Sequence, residues 1–359
     1  MSLNLQSMSI FYKLSVKEIK KETKKAVSIV FDVPSDLIKN FDFIPGQYIT
    51  IKKVLKGKEI RRAYSICSSK NSGVIRIGVK SVEDGSFSVY ATSELKVGDV
   101  LEVSAPEGRF NLSPDPNNQK NYLAFVAGSG ITPVLSMIKS VLEIEPNSSF
   151  VLVYGSKTPE ETMFKNELDD LSTLYPQQLF VSYAYSQIKD NEAISGRIDA
   201  AVCNNILNIK YEALSFDDYF LCGPEPMIEA VKASLLERGI SNDKIHFELF
   251  SVDLDNENLN ETESLDGNTE VTIILDDVEE TFSMPRKRSI LEAALLEGLD
   301  PPYSCQGGIC STCLAMIKSG KAVMDKNTIL SDEEVKDGLI LTCQAHPTTE
   351  KITIDYDAV

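Results

Sequence analysis

From about residue 11 to residue 112 the apolar positions come in short runs rich in Val and Ile, at 25–33, 47–53, 73–80 and 100–105. Turn formers bound them: Pro45-Gly46, Asn71-Ser72-Gly73, Asp84-Gly85 and Gly98-Asp99. Many short β-branched runs with Gly and Pro punctuation predict an antiparallel β-barrel. From Asn121 the pattern changes. Residues 122–127 are a continuous apolar run, as in a strand buried on both faces, and lead into Gly128-Ser129-Gly130-Ile131-Thr132-Pro133 and a helix over 134–142. Strands then alternate with helices: strand 150–154, helix 159–171, strand 179–185, helix near 198–206, strand 218–221, helix 226–236, strand 244–250. Repeated βα units predict a parallel sheet covered on both faces, a Rossmann-like α/β domain.

Residues 251–267 break both patterns. They hold Asp253, Asp255, Glu257, Glu261, Glu263 and Asp266 with no Lys or Arg, so they read as a solvated linker. Beyond it a hairpin is predicted from 271–275 and 280–283, turning at Asp276-Asp277. Ser289 with Glu292, and Ser331 with Glu334, stand in capping-box register at two helix starts, and Gly338 suits the end of the second helix. Strands at 314–317, 339–342 and 351–355 complete a small α+β unit of the β-grasp kind. The expected division is therefore 1–113 (barrel), 114–250 (α/β), 251–267 (linker) and 268–359 (β-grasp).

A chain of 359 residues with 43% hydrophobic content has room for two or three cores. Its formal charge of −17 argues against nucleic acid and anionic membranes, and suits a partner with a basic face. No stretch approaches the 18 apolar residues of a span, and no charged-then-apolar leader opens the chain. There are seven cysteines, and Cys67, Cys203 and Cys222 are scattered, which fits a reducing cytoplasm rather than a disulfide framework.

The other four carry the strongest chemical signal. Cys305, Cys310 and Cys313 follow C-x4-C-x2-C within Pro302-Tyr303-Ser304-Cys305-Gln306-Gly307-Gly308-Ile309-Cys310-Ser311-Thr312-Cys313, and Cys343 lies well downstream, directly after a strand. This is the plant-type spacing for a [2Fe–2S] cluster. Gly307 and Gly308 are expected to let the loop curl so that its N–H groups face sulfur. Structural zinc is the alternative, but it usually pairs two C-x2-C knuckles and this chain has one.

Weaker motifs precede it in order. Arg62-Ala63-Tyr64-Ser65 offers a guanidinium for a diphosphate, a ring to lie on a flat heterocycle and a hydroxyl for its edge. Asp84-Gly85-Ser86-Phe87-Ser88 offers backbone and hydroxyl donors, and Pro106-Glu107-Gly108-Arg109-Phe110 closes the barrel region. Gly128 and Gly130 between a strand and a helix suit a phosphate, without the third glycine of the full dinucleotide fingerprint. Cys222-Gly223-Pro224-Glu225-Pro226-Met227 stands at a strand end, where open α/β sheets bind ligands. Each of these alone also reads as ordinary packing.

Together the motifs resemble the ferredoxin–NADP reductase superfamily, in the branch with a C-terminal plant-type ferredoxin domain. The resemblance covers nearly the whole chain. It rests on Arg62-x-Tyr64-Ser65, Gly85-x-x-Ser88, Gly128-x-Gly130-x-Thr132-Pro133, Cys222-Gly223-x-x-Pro226-Met227, Glu248-Leu249-Phe250 and the four cysteines. It implies FAD held by Arg62, Ala63, Tyr64, Ser65, Val79, Lys80, Gly85, Ser86, Phe87 and Ser88. It implies NADPH or NADH held by Gly128, Gly130, Thr132, Pro133, Ser156, Lys157, Ser186, Gln187, Cys222, Gly223, Pro224 and Met227, with Phe250 beside the flavin. Many NADP-specific relatives have Ser-Arg where this chain has Ser186-Gln187, which leaves Lys157 as the candidate for a 2′-phosphate. Within the branch, residues 303–314 and 338–345, with Tyr154-Gly155-Ser156-Lys157 and Met163-Phe164, look like reductase components of di-iron oxygenases of aerobic phenylacetate catabolism.

The implied function is electron transfer from NAD(P)H through FAD and the cluster to a di-iron oxygenase. Ser65, Thr132, Cys222 and Glu248 would shape the hydride junction, with Glu248 relaying a proton. Two alternatives stay open: the same chain serving another hydroxylase or a hybrid-cluster protein, and a redox sensor or carrier.

Overall fold

The computed structural model describes residues 10–83, 85–250 and 265–359. Most of the acidic stretch read as a linker, 251–264, lies outside the described residues. The chain forms two compact units, Tyr12–Ser251 and one that includes 252–359.

The first unit opens with β1 (Phe11–Thr23), β2 (Ala26–Asp32), β3 (Tyr48–Leu55), β4 (Lys58–Ser65), β5 (Ile75–Lys80) and β6 (Val100–Ser104), in sheet order β4-β3-β6-β1-β2-β5. An antiparallel bridge between Ile66 and Ile77 brings the end of β4 back to β5 and closes the barrel. Alternate residues fill it: Leu14 and Val16, Ile29 and Phe31, Ile49 and Ile51, Ile77 and Val79, Leu101 and Val103 are buried together. The β3–β4 hairpin turns on Lys56 and Gly57, both at positive φ, the two-residue turn that matches strand twist.

One element departs from expectation. The segment after the Asp84-Gly85 turn, for which no element was expected, is a helix, α1 (Ser86–Ser93). Its Val, Thr and aromatic residues are poor helix formers, but Phe87 and Ala91 lie one turn apart and bury in the barrel core.

Next come β7 (Asn121–Ala127), α2 (Ile131–Ile144), β8 (Ser149–Ser156), α3 (Lys165–Leu174), β9 (Leu179–Tyr185), β10 (Ile194–Ser195), α4 (Ala200–Asn205), β11 (Asp218–Gly223), α5 (Glu225–Glu237) and β12 (Ile245–Leu249). The sheet is parallel with order β10-β9-β8-β7-β11-β12. The chain runs outward from β7 on one side and returns to its other side, so the β7–β11 boundary is a topological switch point. The helix expected over 159–171 is broken. A 3-10 turn at Pro159–Glu161 precedes α3, and Phe164 between them has φ 58°. Burial of Met163 and Phe164 against Gly78 of the barrel explains the break: a Cβ at Gly78 would stand 3.0 Å from Phe164 and 2.6 Å from Thr132.

Barrel and α/β sheet are joined by a largely buried ion network. Arg76 of β5 donates to Glu22 of β1 (2.8 Å) and to Glu167 of α3 (2.9 Å), stacks over Phe164 (5.0 Å), and Glu167 also pairs with Lys139 of α2. Ser136 donates to the Ser68 carbonyl (2.6 Å), and the Lys70 N–H donates to Ser140 (2.9 Å).

In the second unit β13 (Asn268–Leu275) and β14 (Val278–Pro285) form the hairpin, α6 (Ile290–Leu296) follows, then β15 (Leu314–Ser319), β16 (Ala322–Met324), α7 (Asp332–Lys336), β17 (Leu339–Leu341), β18 (Ala345–Pro347) and β19 (Lys351–Asp355). The sheet order β14-β13-β19-β15-β17, with β13 and β19 parallel and α6 packed on the core through Ile290, Ala293 and Ala294, is a β-grasp fold. β16 and β18 make a separate ribbon. Ser331 closes a complete capping box, whereas Ser289 accepts from the Glu292 N–H while the Glu292 carboxylate pairs with Arg288. Among the described residues no helix is long and apolar enough to cross a membrane.

Arg76→Met should destabilise the first unit by about 3 kcal/mol, because it leaves Glu22 and Glu167 facing each other across a buried junction with less positive charge. For a unit this size that lowers Tm by roughly 6–12 °C. Calorimetry checks it, and an unchanged Tm would show the pair to be effectively solvated.

Candidate functional site

β12, paired with β11, meets the barrel at the end of β4. Ser65, the last residue of β4, is buried, and its hydroxyl reaches the Glu248 carboxyl of β12. Cys222 lies opposite Glu248 in the β11–β12 register and is fully buried. Three residues far apart in sequence therefore share one point. Burial pushes the Glu248 carboxyl up to about 8 against the opposing hydrogen bond from Ser65, and its Oε2 is enclosed with no partner. Burial, reinforced by Glu248, raises the Cys222 thiol well above its ordinary range, so it is a neutral S–H and not a nucleophile.

On the barrel side Tyr64 lies against Phe87 of α1, with ring centroids 5.4 Å apart, and burial keeps its phenol neutral. Arg62 is exposed and donates to the Arg61 carbonyl (2.7 Å), and Ala63 stands next to it half-buried. The N-cap of α1 is Gly85, which has no side chain to cap the first turn. Gly85 is required there: a Cβ would meet Ser88 Oγ at 2.2 Å. The Val79 side chain points into the barrel core, which leaves only its backbone for a ligand. Lys80 is half-buried. Burial lowers its pKa, Glu161 opposes that, and Lys157 and Lys25 add to it, and the Lys80 Nζ lies 4.0 Å from where a Cβ on Gly128 would stand.

On the α/β side Gly128 has φ 58°, and its carbonyl accepts from the Tyr154 hydroxyl (2.9 Å). Gly130 is the tight contact: a Cβ would come within 2.3 Å of the Cys222 carbonyl, so only glycine lets α2 start this close to β11. Thr132 is buried, donates to the Ser129 carbonyl (3.0 Å) and packs its methyl on Gly78, so its hydroxyl closes the turn. Pro133 is buried in the first turn of α2, Pro224 caps α5, and Met227 packs beside Gly223. Ser156 ends β8 and Lys157 follows it, and they are tied to Ser186 and Gln187 after β9 by backbone bonds of 3.1 and 3.0 Å, with Lys157, Ser186 and Gln187 exposed. Phe250 packs half-buried on the core of the α/β sheet. Sequence reasoning missed Tyr154 as the anchor of the glycine turn; an aromatic in a buried strand carries no such signal.

In the second unit the cysteine loop is pinned from three sides. Gln344 Nε2 donates to the Gln306 carbonyl (3.1 Å), Thr328 to the Gly308 carbonyl (2.9 Å), and Thr342 to the Cys313 carbonyl (3.0 Å). The left-handed positions are Gln306 (φ 56°) and Gly308 (φ 71°). Gly307 is not left-handed, and its N–H faces sulfur as expected, donating to Cys305 Sγ (3.3 Å). A Cβ at Gly308 would meet the Lys326 carbonyl at 2.9 Å. The thiols stand as two pairs. Cys310 donates to Cys305 and Cys313 to Cys343, which lowers each acceptor's pKa and raises each donor's. Among the described residues no three such donors surround a single ion position. Two thiol pairs side by side fit two irons better than one zinc, and the donor set fits a [2Fe–2S] cluster.

The Glu248 carboxyl titrates higher in the folded chain than in an unfolded one, so between about pH 4.5 and pH 8 the native state holds the extra proton and stability falls as pH rises. Glu248→Gln should therefore melt above the parent chain at pH 9, with the gap closing toward pH 5. A gap independent of pH would show that the carboxyl is not held protonated.

Comparison with known proteins agrees with this geometry. Residues 13–112 match the family described as oxidoreductase FAD-binding domain, 125–233 the oxidoreductase NAD-binding domain, and 273–348 the 2Fe-2S iron-sulfur cluster binding domain. The chain is 38% identical to one component of the 1,2-phenylacetyl-CoA epoxidase of Escherichia coli, over 98% of this chain and 99% of that one. It is 31% identical to the ferredoxin reductase component of 3-ketosteroid-9-alpha-monooxygenase of Rhodococcus rhodochrous, over 96% of each. Its fold is that of phthalate dioxygenase reductase, with a TM-score of 0.58 at 24% identity over 96% of this chain and 98% of that one. The chain belongs to the ferredoxin–NADP reductase superfamily, in the branch with a C-terminal plant-type ferredoxin domain, and is an NAD(P)H-dependent oxidoreductase with FAD and a [2Fe–2S] cluster.

Proposed function

We propose that this chain is the reductase of a di-iron oxygenase of the phenylacetyl-CoA epoxidase kind, working in the cytoplasm and drawing on NADPH. The observation that carries the reading is the end-to-end 38% identity with the Escherichia coli epoxidase component. FAD takes electrons in pairs from a nicotinamide nucleotide and a [2Fe–2S] cluster passes them singly, and the protein supplies position and electrostatics.

Arg62 and the first-turn amides of Ser86 and Phe87, with Gly85 and Ser88, hold the FAD diphosphate. Tyr64 and Phe250 lie against the ring system, and Ser65 hydrogen-bonds its edge, with the Ala63, Val79 and Lys80 backbone alongside. Gly128, Gly130, Thr132 and Pro133 shape the turn that receives the nucleotide phosphates. Cys222, Gly223, Pro224 and Met227 wall the nicotinamide side. Ser156, Lys157, Ser186 and Gln187 meet the adenosine end. Glu248 holds a proton at neutral pH and passes it through the Ser65 hydroxyl, its hydrogen-bond partner. Cys305, Cys310, Cys313 and Cys343 hold the cluster, and the acidic surface meets a basic face on the oxygenase.

Purified with its cofactors and mixed with a phenylacetyl-CoA epoxidase oxygenase, the chain should couple NADPH oxidation to epoxide formation. Cys310→Ser should keep flavin bleaching by NADPH in stopped flow but abolish product. Product with a steroid or betaine oxygenase and none with the epoxidase would refute the proposed acceptor.

Lys157→Ala should lower kcat/KM for NADPH more than for NADH, since only NADPH carries the 2′-phosphate. One exposed ammonium–phosphate contact is worth about 1–2 kcal/mol, or roughly 5- to 30-fold. Steady-state kinetics with both nucleotides decide it, and equal losses would point to a structural effect.

A further inference from the structure

Ser304 immediately precedes the first cysteine of the cluster loop and is only 1% exposed. Its Oγ is enclosed and has no hydrogen-bond partner. Neighbouring buried hydroxyls behave differently: Thr342 donates to the Cys313 carbonyl (3.0 Å), Tyr356 donates to Thr342 (2.9 Å), and the Thr312 hydroxyl lies 3.4 Å from Cys310 Sγ. A hydroxyl buried without an acceptor costs free energy that alanine, one atom smaller, would not.

The rest of the loop turns its donors toward sulfur. The Gly307 N–H reaches Cys305 Sγ at 3.3 Å, and the N–H groups of Ile309 and Cys310 also serve Cys305. Each is a donor aimed at an anionic sulfur. Ser304 is another donor on the same loop, bonded covalently to the residue that carries one of those sulfurs, and its missing acceptor is what a cluster would bring.

We propose that the Ser304 hydroxyl donates a hydrogen bond to a sulfur of the [2Fe–2S] cluster and sets its reduction potential. Reduction adds one electron and no proton, so the negative charge on the cluster grows. A hydrogen bond to a charged acceptor strengthens with that charge, so the donor favours the reduced form and raises the potential. Ser304 is a tuning residue: it does not ligate iron and is not needed for the nucleotide half. The proposal rests on the cluster site and not on which oxygenase is served.

The test is a redox titration of the full-length holoprotein followed by electron paramagnetic resonance, with iron content measured on each sample. Ser304→Ala should keep its iron but shift the reduction equilibrium about three- to tenfold toward the oxidised form, about 28–59 mV lower at 59 mV per tenfold for a one-electron couple. Ser304→Thr, which keeps the hydroxyl, should restore most of the shift. An alanine variant with full iron and the parent potential would overturn the proposal, as would a threonine variant shifted as far as alanine. Should the alanine chain fail to assemble its cluster, Ser304→Cys carries the test: a thiol is a weaker donor, so its potential must fall below the parent's, and an equal potential overturns the idea. Absence of iron from the parent chain would instead overturn the cluster assignment, a separate and distinguishable failure.

Discussion

The constraint on which the first unit depends is the join between barrel and α/β sheet. Ser65 belongs to one and Cys222 and Glu248 to the other, so the junction exists only while the two are held in register. Arg76 does much of that holding, with Glu22 from the barrel, Glu167 from α3 and Phe164 under its guanidinium. Buried ion pairs are not a cheap source of stability, because two or more charges lose their water. Their geometry is specific, however, and a misregistered interface would strand a carboxylate. Gly78 completes the join by leaving room for Thr132 and Phe164, and Gly130 lets α2 start close to β11.

The second unit solves a different problem with the same means. Four sulfurs must stand in place before any metal can bring them together. Three lie on one loop whose turns are locked at Gln306 and Gly308, and the fourth is positioned through Thr342, which clasps the Cys313 carbonyl and is itself held by Tyr356. The loop's N–H groups point inward because its carbonyls are engaged outward by Gln344 and Thr328. Preorganisation of this kind spares the ligands the entropy of assembling at the moment of binding.

Burial disfavours the charged form at both sites, but the outcomes differ. Where Ser65, Cys222 and Glu248 meet, it keeps Glu248 and Cys222 protonated. In the cysteine loop, directed N–H groups and paired thiols pull Cys305 and Cys343 toward the thiolate, the form that binds iron. The difference lies in hydrogen-bond donors: Glu248 Oε2 has none, whereas Cys305 accepts several.

What the amino-acid sequence determined by itself is whatever depends on near neighbours. The C-x4-C-x2-C spacing, the change from β-branched runs to βα alternation, the capping box at Ser331 and the turn at Asp276-Asp277 are local, so the chain carries them in order. The tertiary structure alone decided the rest. Residues 86–93 became helical because Phe87 and Ala91 found the barrel core, and α3 began late because Met163 and Phe164 had to pack on Gly78. Ser65, Cys222 and Glu248 met because the end of β4 reaches the paired strands β11 and β12, and nothing in their local sequence encodes that distance. The pairing of Cys305 with Cys310 and of Cys313 with Cys343, and the stranded hydroxyl of Ser304, likewise follow from packing, since burial and long-range contact are properties of the folded whole.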